Sequence, residues 1–450
     1  MAEHDLTRQL CGFLDNHMTL ALIQNALDKE IYKREQLITS KLKVLESAHF
    51  FDAMKEVYHD VKATVPKEVL EKEEAFNNHV DSLSEELSKV YDVFSKQEVI
   101  DAISASYSNP DPAKLTEKLK EHGFEPKMLD TMFKAARAYY DLEQYATAGT
   151  MLYNYRPLTS DPSKRLSALW GRLAVEIMSE KFEEATEVLG VLQSNIKETS
   201  LEPLKKLQQR AWLMHWSLFI FFFGDNGESI RISHLLEKFL PKSGERDQEK
   251  NEFIGAIQTM CPHLLRYFAV VAVITCPKRP DSRDAIRDIV RMIRHKTAKF
   301  SDPITQLLEC IYIDFDFDKA LELLSACEKV LDLDFFLTTY RTDFVESASK
   351  LIFEVYCKIH SSISIQFVAE RLSKTASEAE KWIVDLIQSA DLSARIEQAE
   401  GYVKMLHEPQ STYDQVLDST RSIPLRTRAL LDNFHRRGTR KPHNKKKQDK

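Results

Sequence analysis

Between Ser362 and Met405 the hydrophobic period of this chain changes, and no other stretch restricts the fold as strongly. Ile365, Val368, Ala369 and Leu372 recur at helical spacing. After a short turn, Ser377-Glu378-Ala379-Glu380 reads as a capping box opening a second helix, with hydroxyl and carboxylate satisfying each other's backbone amides. Alternation then replaces helical spacing in Ala394–Glu397 and Tyr402–Met405, joined through Gln398-Ala399-Glu400-Gly401. Helix, turn, helix and two-stranded wing make a winged helix.

Many winged helices bind DNA through the second helix, so its charge is informative. Ala379, Trp382, Ile383, Leu386, Ile387 and Ala390 form its apolar face. The remaining surface carries Glu378, Glu380, Asp385 and Asp391 against Lys381. A helix entering a major groove meets phosphates and needs the opposite sign. The expected partner is therefore protein.

Upstream, helix follows helix. Asp5–Leu27 shows one apolar side through Leu6, Leu10, Phe13, Leu14 and Leu20–Ile23, and Val65–Lys96 another through Leu70, Phe76, Val80, Leu83, Leu87, Val90 and Phe94. The pattern aromatic-x-x-Ala-x-x-x-Leu recurs as Tyr145/Ala148/Leu152, Phe182/Ala185/Leu189 and Phe317/Ala320/Leu324, with a weaker copy at Phe50/Ala53/Val57. A small Ala lets paired helices approach closely while the larger residues fill the space beside it, as in stacked repeats of the tetratricopeptide type. Glycine supports this reading: 11 in 450 residues leave little for phosphate loops or glycine-dependent β turns. The fold class expected is all-α, a helical-repeat solenoid arm followed by the winged helix and a C-terminal helix.

Breaks at Asn109-Pro110-Asp111-Pro112 and Cys276-Pro277-Lys278-Arg279-Pro280, and the Ser301-Asp302-Pro303 helix start, punctuate the arm. The division drawn is 1–108, an N-terminal helical segment; 109–223, the repeat arm; 224–407, further repeats with the winged helix at 362–405; 408–435, a C-terminal helix; and 436–450, a basic disordered tail. The longest apolar run, Ala211–Phe223, is too short to span a bilayer and reads as a buried helix holding Trp212 and Trp216. Met1–Thr19 has no signal-peptide pattern. Cys11, Cys261, Cys276, Cys310, Cys327 and Cys357 form no Cys-x-x-Cys pair and read as reduced core residues of an intracellular protein.

Net charge is −7, so no global field attracts nucleic acid. The tail is the exception: Arg436, Arg437, Arg440, Lys441, Lys445, Lys446 and Lys447 give it an RNA-contacting or nuclear-import character, against the plainer reading of a solvated tail. No nucleotide, metalloprotease or hydrolase motif is present. Cys261 and His263 flank Pro262 and point apart, as at a helix start. Asp314, Asp316 and Asp318 alternate with Phe315 and Phe317 and lack the glycine of a calcium loop, which makes them a polar turn. His215, between two tryptophans, reads as a satisfied core histidine. No catalytic residue, cofactor or metal is expected, and no enzyme.

Long segments then become recognisable. Leu207–Phe219 (LQQRAWLMHWSLF), Ala256–Tyr267 (AIQTMCPHLLRY), Asp302-Pro303-Ile304, Tyr312–Asp318 (YIDFDFD), Met1–Thr7 (MAEHDLT) and Phe13–His17 (FLDNH) resemble the E-subunit family of eukaryotic translation initiation factor 3, from the N-terminus to about Ile423. The resemblance implies a PCI protein, a non-catalytic scaffold whose winged helices associate edge to edge and whose C-terminal helices gather in a bundle. It implies other factor subunits, the small ribosomal subunit and the cap-binding scaffold protein as partners, a role in mRNA recruitment, and the cytoplasm as location. Two rival readings keep different partners: a PCI scaffold of the proteasome lid or signalosome, and a winged-helix nucleic-acid-binding protein.

Two surfaces are expected to carry assembly. Tyr402, Val403, Lys404 and Met405 would present an open sheet edge, whose backbone groups bond a neighbouring strand. Tyr413, Val416, Leu417, Ile423, Leu430 and Phe434 make an apolar stripe with no obvious cover in this chain. Pro424 departs from the family pattern there and predicts a kink; the basic tail departs from it too, since the family ending lacks one.

Overall fold

The computed structural model describes residues 4–406 apart from 95, 109–111, 122, 200–201, 224–229, 241–247, 278, 280, 295–299, 372–374, 391 and 398–400, and then 412–413, 416–417, 420–421, 423–424, 427–428 and 430–431. The chain forms two compact units, Met1–Tyr356 and Cys357–Lys450.

The first unit is built of helices in which chain neighbours pack on one another. Pro126–Asp141 lies on Tyr145–Tyr155, that helix on Pro162–Met178, the next on Phe182–Glu198, and that on Pro203–Phe223. Five of the reversals are made without glycine. Glu30, His49, Lys62, Glu143 and Glu180 adopt left-handed backbone with φ between 51° and 61°. Each following amide donates back across the turn: Ile31 to Ala26, Phe50 to Leu45, Ala63 to Tyr58, Gln144 to Tyr139 and Lys181 to Glu176. This bond satisfies a carbonyl orphaned by the helix end, the Schellman arrangement.

The recurring motif coincides with these reversals. Tyr145, Phe182 and Phe317 are the first residues of their helices, each two positions after a left-handed residue, Glu143, Glu180 or Phe315. Ala148, Ala185 and Ala320 are 0 % exposed. Leu152 and Leu189 are buried and Leu324 half-buried. The weak fourth copy is displaced by one residue. Its helix is Phe51–Asp60, with His49 left-handed, Met54 buried and Ala53 only half-buried. The expected polar turn is present too: Cys310–Asp314 forms a π turn ended by Phe315, and Asp316 caps the next helix by accepting from the Lys319 amide.

Three expectations need correction. Asp5–Leu27 is two helices, Thr7–Leu10 and Asn16–Asp28, because the Asp15 carboxylate accepts from the His17 amide and starts a new helix. Leu70 is exposed and Val69 is buried, since the long Lys67–Phe94 helix packs mainly through Leu83, Leu87, Val90 and Val93 in its second half. Trp212 and Trp216 are half-buried; both stand edge-on to Trp170, with centroids 6.1 and 4.8 Å away.

The main core joins Leu6, Leu10, Met18 and Leu22 to apolar residues between Leu166 and Val355. A buried ion network ties the same N-terminal stretch down. Arg266 donates from Nε and one terminal nitrogen to Asp302 (3.1 and 2.6 Å), from the other to Asp334 (3.1 Å), and to the His4 carbonyl (2.5 Å). Tyr267 donates to Asp334 at 3.0 Å. Burial alone would lower the Arg266 pKa, but Asp302 and Asp334 outweigh it and hold the guanidinium charged. His215 and His263 form a second buried pair, Nε2 to Nε2 at 2.8 Å. His215 Nδ1 lies 2.6 Å from the Ala211 carbonyl and so carries its hydrogen. Its Nε2 must then accept from His263, and the Phe13 ring stacks on it at 4.2 Å.

In the second unit, β1 (Ser362–Ser364) precedes helices Ile365–Arg371 and Ala376–Ser389, then β2 (Ala394–Glu397) and β3 (Tyr402–Met405). The strands form one antiparallel sheet in the order β1-β3-β2. Strand, two helices and hairpin follow the connectivity expected of a winged helix, with β1 added to the expected pair of strands. Ile363, Val368, Ala379, Trp382, Ile383, Leu386, Val403 and Met405 make its interior. The second helix is capped two residues earlier than expected. Thr375 and Glu378 form the box, because the Ser/Thr-x-x-Glu pattern fits this pair as well as Ser377 and Glu380. Gly401, at φ 69°, supplies the left-handed residue that turns β2 into β3.

Candidate functional site

Among the described residues no group of three or more His, Cys, Asp or Glu side chains is placed to hold a metal ion. No single described helix is long and apolar enough to cross a membrane. The second unit presents two surfaces suited to another polypeptide.

The first is the sheet, and here the sequence reading is corrected. β3 is the central strand: Ile363 of β1 pairs with Val403 on one side, and Ile396 of β2 pairs with it on the other. Tyr402–Met405 therefore has no open backbone edge. β1 escaped detection because Ser362-Ile363-Ser364 is three residues long and runs straight into a helix. The open edge on the wing side belongs to β2. Leu406 donates to the Ser393 carbonyl at 2.8 Å, which makes residues 393 and 406 a hydrogen-bonded pair. Alternation along an antiparallel ladder then turns the backbone groups of Arg395 and Glu397 toward β3, and those of Ala394 and Ile396 outward.

Side chains divide in the same way. Val403 and Met405 are buried, whereas Tyr402 and Lys404 are exposed. Lys404 lies directly opposite Arg395 across the β2–β3 ladder, and both are exposed. Like charges placed opposite each other weaken a sheet, so an anionic group seated on this face would relieve them. The Ala376–Ser389 helix keeps its acidic character, with Glu378 and Asp385 exposed, Glu380 half-buried and Lys381 exposed; Asp391 lies outside the described residues.

The second surface is the C-terminal stripe. The described residues between 412 and 431 are in helical conformation and all are exposed. Tyr413 is 83 % exposed, and Val416, Leu417, Ile423, Leu430 and Leu431 are between 52 and 60 %. Leu431 lies outside the stripe read from sequence, although it extends the same apolar series. Pro424 is itself in helical backbone, while its neighbours Ser422, Leu425 and Arg426 lie outside the described residues. So do Phe434 and the tail cations Arg436, Arg437, Arg440, Lys441, Lys445, Lys446 and Lys447.

Two family models match: eIF3 subunit 6 N terminal domain over residues 5–138, and PCI domain over residues 324–407. Curated relatives match nearly end to end. The E subunit of eukaryotic translation initiation factor 3 from Bombyx mori is 32 % identical over 97 % of this chain and 96 % of its own length. The E subunits of Monosiga brevicollis and Drosophila melanogaster are also 32 % identical, over 97 and 98 % of this chain and 86 and 97 % of their own lengths. The chain belongs to the E-subunit family of eukaryotic translation initiation factor 3.

In this family member the segments that carry the resemblance, far apart in sequence, meet in the first unit. Phe13 stacks on His215, and its carbonyl accepts from Trp216 Nε1 at 3.1 Å. His263 pairs with His215, and Arg266 holds Asp302. These residues form a packed interior, and none of the titratable groups among them is open to substrate. Burial pushes His215 down to about 3 and His263 to about 4, with the neighbouring His263 adding to the first shift and Arg266 to the second. Both imidazoles are neutral at pH 7 and serve as hydrogen-bonding struts.

Proposed function

We propose that this chain is a non-catalytic scaffold subunit of the initiation factor 3 complex, assembled through the β2 edge of its terminal sheet and the apolar face of its C-terminal helix. The observation that carries the reading is the end-to-end relationship to curated E-subunit proteins. The exposed C-terminal stripe supports it. Burying such side chains in a helical bundle stabilises by roughly 1.5–3 kcal/mol each, so six residues would make a strong joint. The acidic Ala376–Ser389 helix supports protein rather than duplex DNA as partner.

On this reading the complex works in the cytoplasm on the small ribosomal subunit and supports mRNA recruitment together with the cap-binding scaffold protein. Tyr402 and Lys404 contribute side chains beside the β2 edge, and Val403 and Met405 hold the sheet from inside. Tyr413, Val416, Leu417, Ile423, Leu430 and Phe434 enter the bundle. The tail from Arg436 to Lys447 touches RNA, and its basic run also suits a nuclear fraction.

Sedimentation of tagged protein from cell lysate tests the central claim. Co-migration with other factor subunits and small ribosomal subunits is expected. Exclusive co-migration with proteasome-lid or signalosome components would overturn it. A chain ending at Leu406 should stay folded in both units yet leave the complex, and normal assembly of that chain would show that the stripe packs within its own protein.

A further inference from the structure

A cleft of about 420 Å³ opens in the first unit, where the start of the Asn16–Asp28 helix and the Ser47-Ala48 corner face the repeat helices. Its walls are aromatic: Phe133, Tyr140, Trp170 and Trp216 line it, with Gly171 and Ala174 giving it depth. The indole N–H groups are already used, Trp170 on Gln209 and Trp216 on the Phe13 carbonyl, so the tryptophans offer the cleft their rings and not their donors.

Two carboxylates also line it, Asp15 and Asp141. Each uses only one oxygen. Asp15 Oδ2 accepts from the Tyr140 hydroxyl at 2.9 Å and the His17 amide at 3.2 Å, and Asp141 Oδ2 lies 3.3 Å from His49 Nδ1. Among the described residues nothing donates to either Oδ1. Among the residues lining the cleft, Arg137 is the one permanent cation. Arg137 is exposed at the rim, and its field reaches Asp141 without an ion pair. His17, stacked on Tyr140 at 4.1 Å, is kept neutral by burial. Burial raises the Asp141 carboxyl above the usual range, Asp15 adds to the rise, and His49 and Arg137 oppose it. Both acids line the same cleft, so a cation seated there would face two carboxylates.

We propose that this cleft is a docking pocket for an arginine side chain presented by a partner protein, its guanidinium stacked on the indole walls and hydrogen-bonded to Asp15 and Asp141. Three properties select arginine. An apolar side chain would seal the two Oδ1 oxygens from water with no donor to bond them, which is unfavourable. A lysine could neutralise one acid but cannot lie flat on a ring while donating sideways. A guanidinium does both, through cation–π contact with the ring faces and planar N–H groups toward the carboxylates. This pocket lies wholly within the first unit, and the inference stands apart from the assembly role given to the second.

The test uses the full chain and three short blocked peptides, identical except for a central arginine, lysine or citrulline. Tryptophan emission is followed on titration, since Trp170 and Trp216 line the cleft. Saturable binding of the arginine peptide is expected, weaker for lysine and absent for the neutral citrulline. Asp15→Asn and Asp141→Asn, each removing one charge-assisted bond, should weaken arginine binding about tenfold, while Glu183→Gln, at an exposed site elsewhere, should not. Because either cleft variant could disturb packing, Ser167→Trp supplies a second arm. It fills the cleft from an exposed lining position and should abolish binding at an unchanged unfolding midpoint. Equal binding of arginine and citrulline peptides would overturn the proposal, as would arginine binding unmoved by all three cleft variants. Binding that appears only after residues 436–450 are removed would also overturn it, for the occupant would then be the chain's own tail.

Discussion

Replacing Arg266 by Met should be the most damaging single substitution in the first unit. Arg266 is 1 % exposed, and its removal deletes four hydrogen bonds, three to Asp302 and Asp334 and one to the His4 carbonyl. Methionine fills much of the space, so the loss is mainly electrostatic: two buried carboxyls lose their counter-ion, and Asp334, which burial already raises above the usual range, must either stay unpaired or take up a proton. Breaking a buried pair in this way costs about 3–5 kcal/mol, a large part of a total stability of roughly 5–15 kcal/mol. With a urea dependence near 3 kcal/mol per molar, the unfolding midpoint should fall by about 1–1.7 M. Tryptophan emission in a Trp382→Phe background reports the first unit alone, since Trp170, Trp212 and Trp216 all belong to it. Adding Asp302→Asn and Asp334→Asn should recover at least half of the loss, because neutral amides are cheaper to bury than unpaired carboxylates. A midpoint drop below about 0.3 M would refute the reasoning. So would a triple variant no more stable than Arg266→Met, which would make the loss one of packing.

Further outcomes follow from the same structure. His215 and His263 have folded pKa values depressed to about 3 and about 4, so their stabilisation is complete above the unfolded value near 6.5 and is lost as pH falls below it. Urea midpoints should drop between pH 7 and pH 5 by the equivalent of about 2 kcal/mol per histidine, and the double variant His215→Phe/His263→Phe should show a flatter profile. Glu180→Gly should raise the thermal midpoint by the equivalent of roughly 0.5–1 kcal/mol, because glycine takes the left-handed C′ position without a Cβ clash. Ile396→Pro removes an outward N–H from the β2 edge and should weaken co-purification with other subunits while leaving the β2–β3 pairing intact; Val403→Pro, in the central strand, should instead unfold the sheet. Lys404→Glu pairs with Arg395 across the ladder and should stabilise the second unit by a few tenths of a kcal/mol in chemical denaturation.

Local features were legible in the sequence wherever one short stretch contains its own physical cause. The aromatic-x-x-Ala-x-x-x-Leu copies were legible as paired-helix packing, because a small residue near a helix start serves close packing whatever lies opposite, and the structure places three of them at helix starts. The helix starts at Asp302 and Cys261, the polar turn at Asp314–Asp318 and the change of period before the wing were readable for the same reason. The family was readable from segments too long to arise from composition. Errors arose where two local solutions compete. Thr375 and Ser377 both satisfy a capping box, and only packing selects the first. Leu70 and Val69 are adjacent, and only the partner helix decides which turns inward.

The sequence by itself determined that the chain would be helical pairs followed by a short β wing, for spacing and capping act within a few residues. Tertiary structure alone decided which groups meet. Nothing near Asp15 in sequence points to Tyr140, and nothing near Arg266 points to Asp334 or to the His4 carbonyl. Strand order is of the same kind. β1 is too short to be detected by period, yet its pairing makes β3 central, moves the open edge to β2 and buries the backbone that sequence alone had left exposed. Pairing between distant segments depends on how whole helices stack, and the energy that selects it is shared by many side chains, so no local pattern records it.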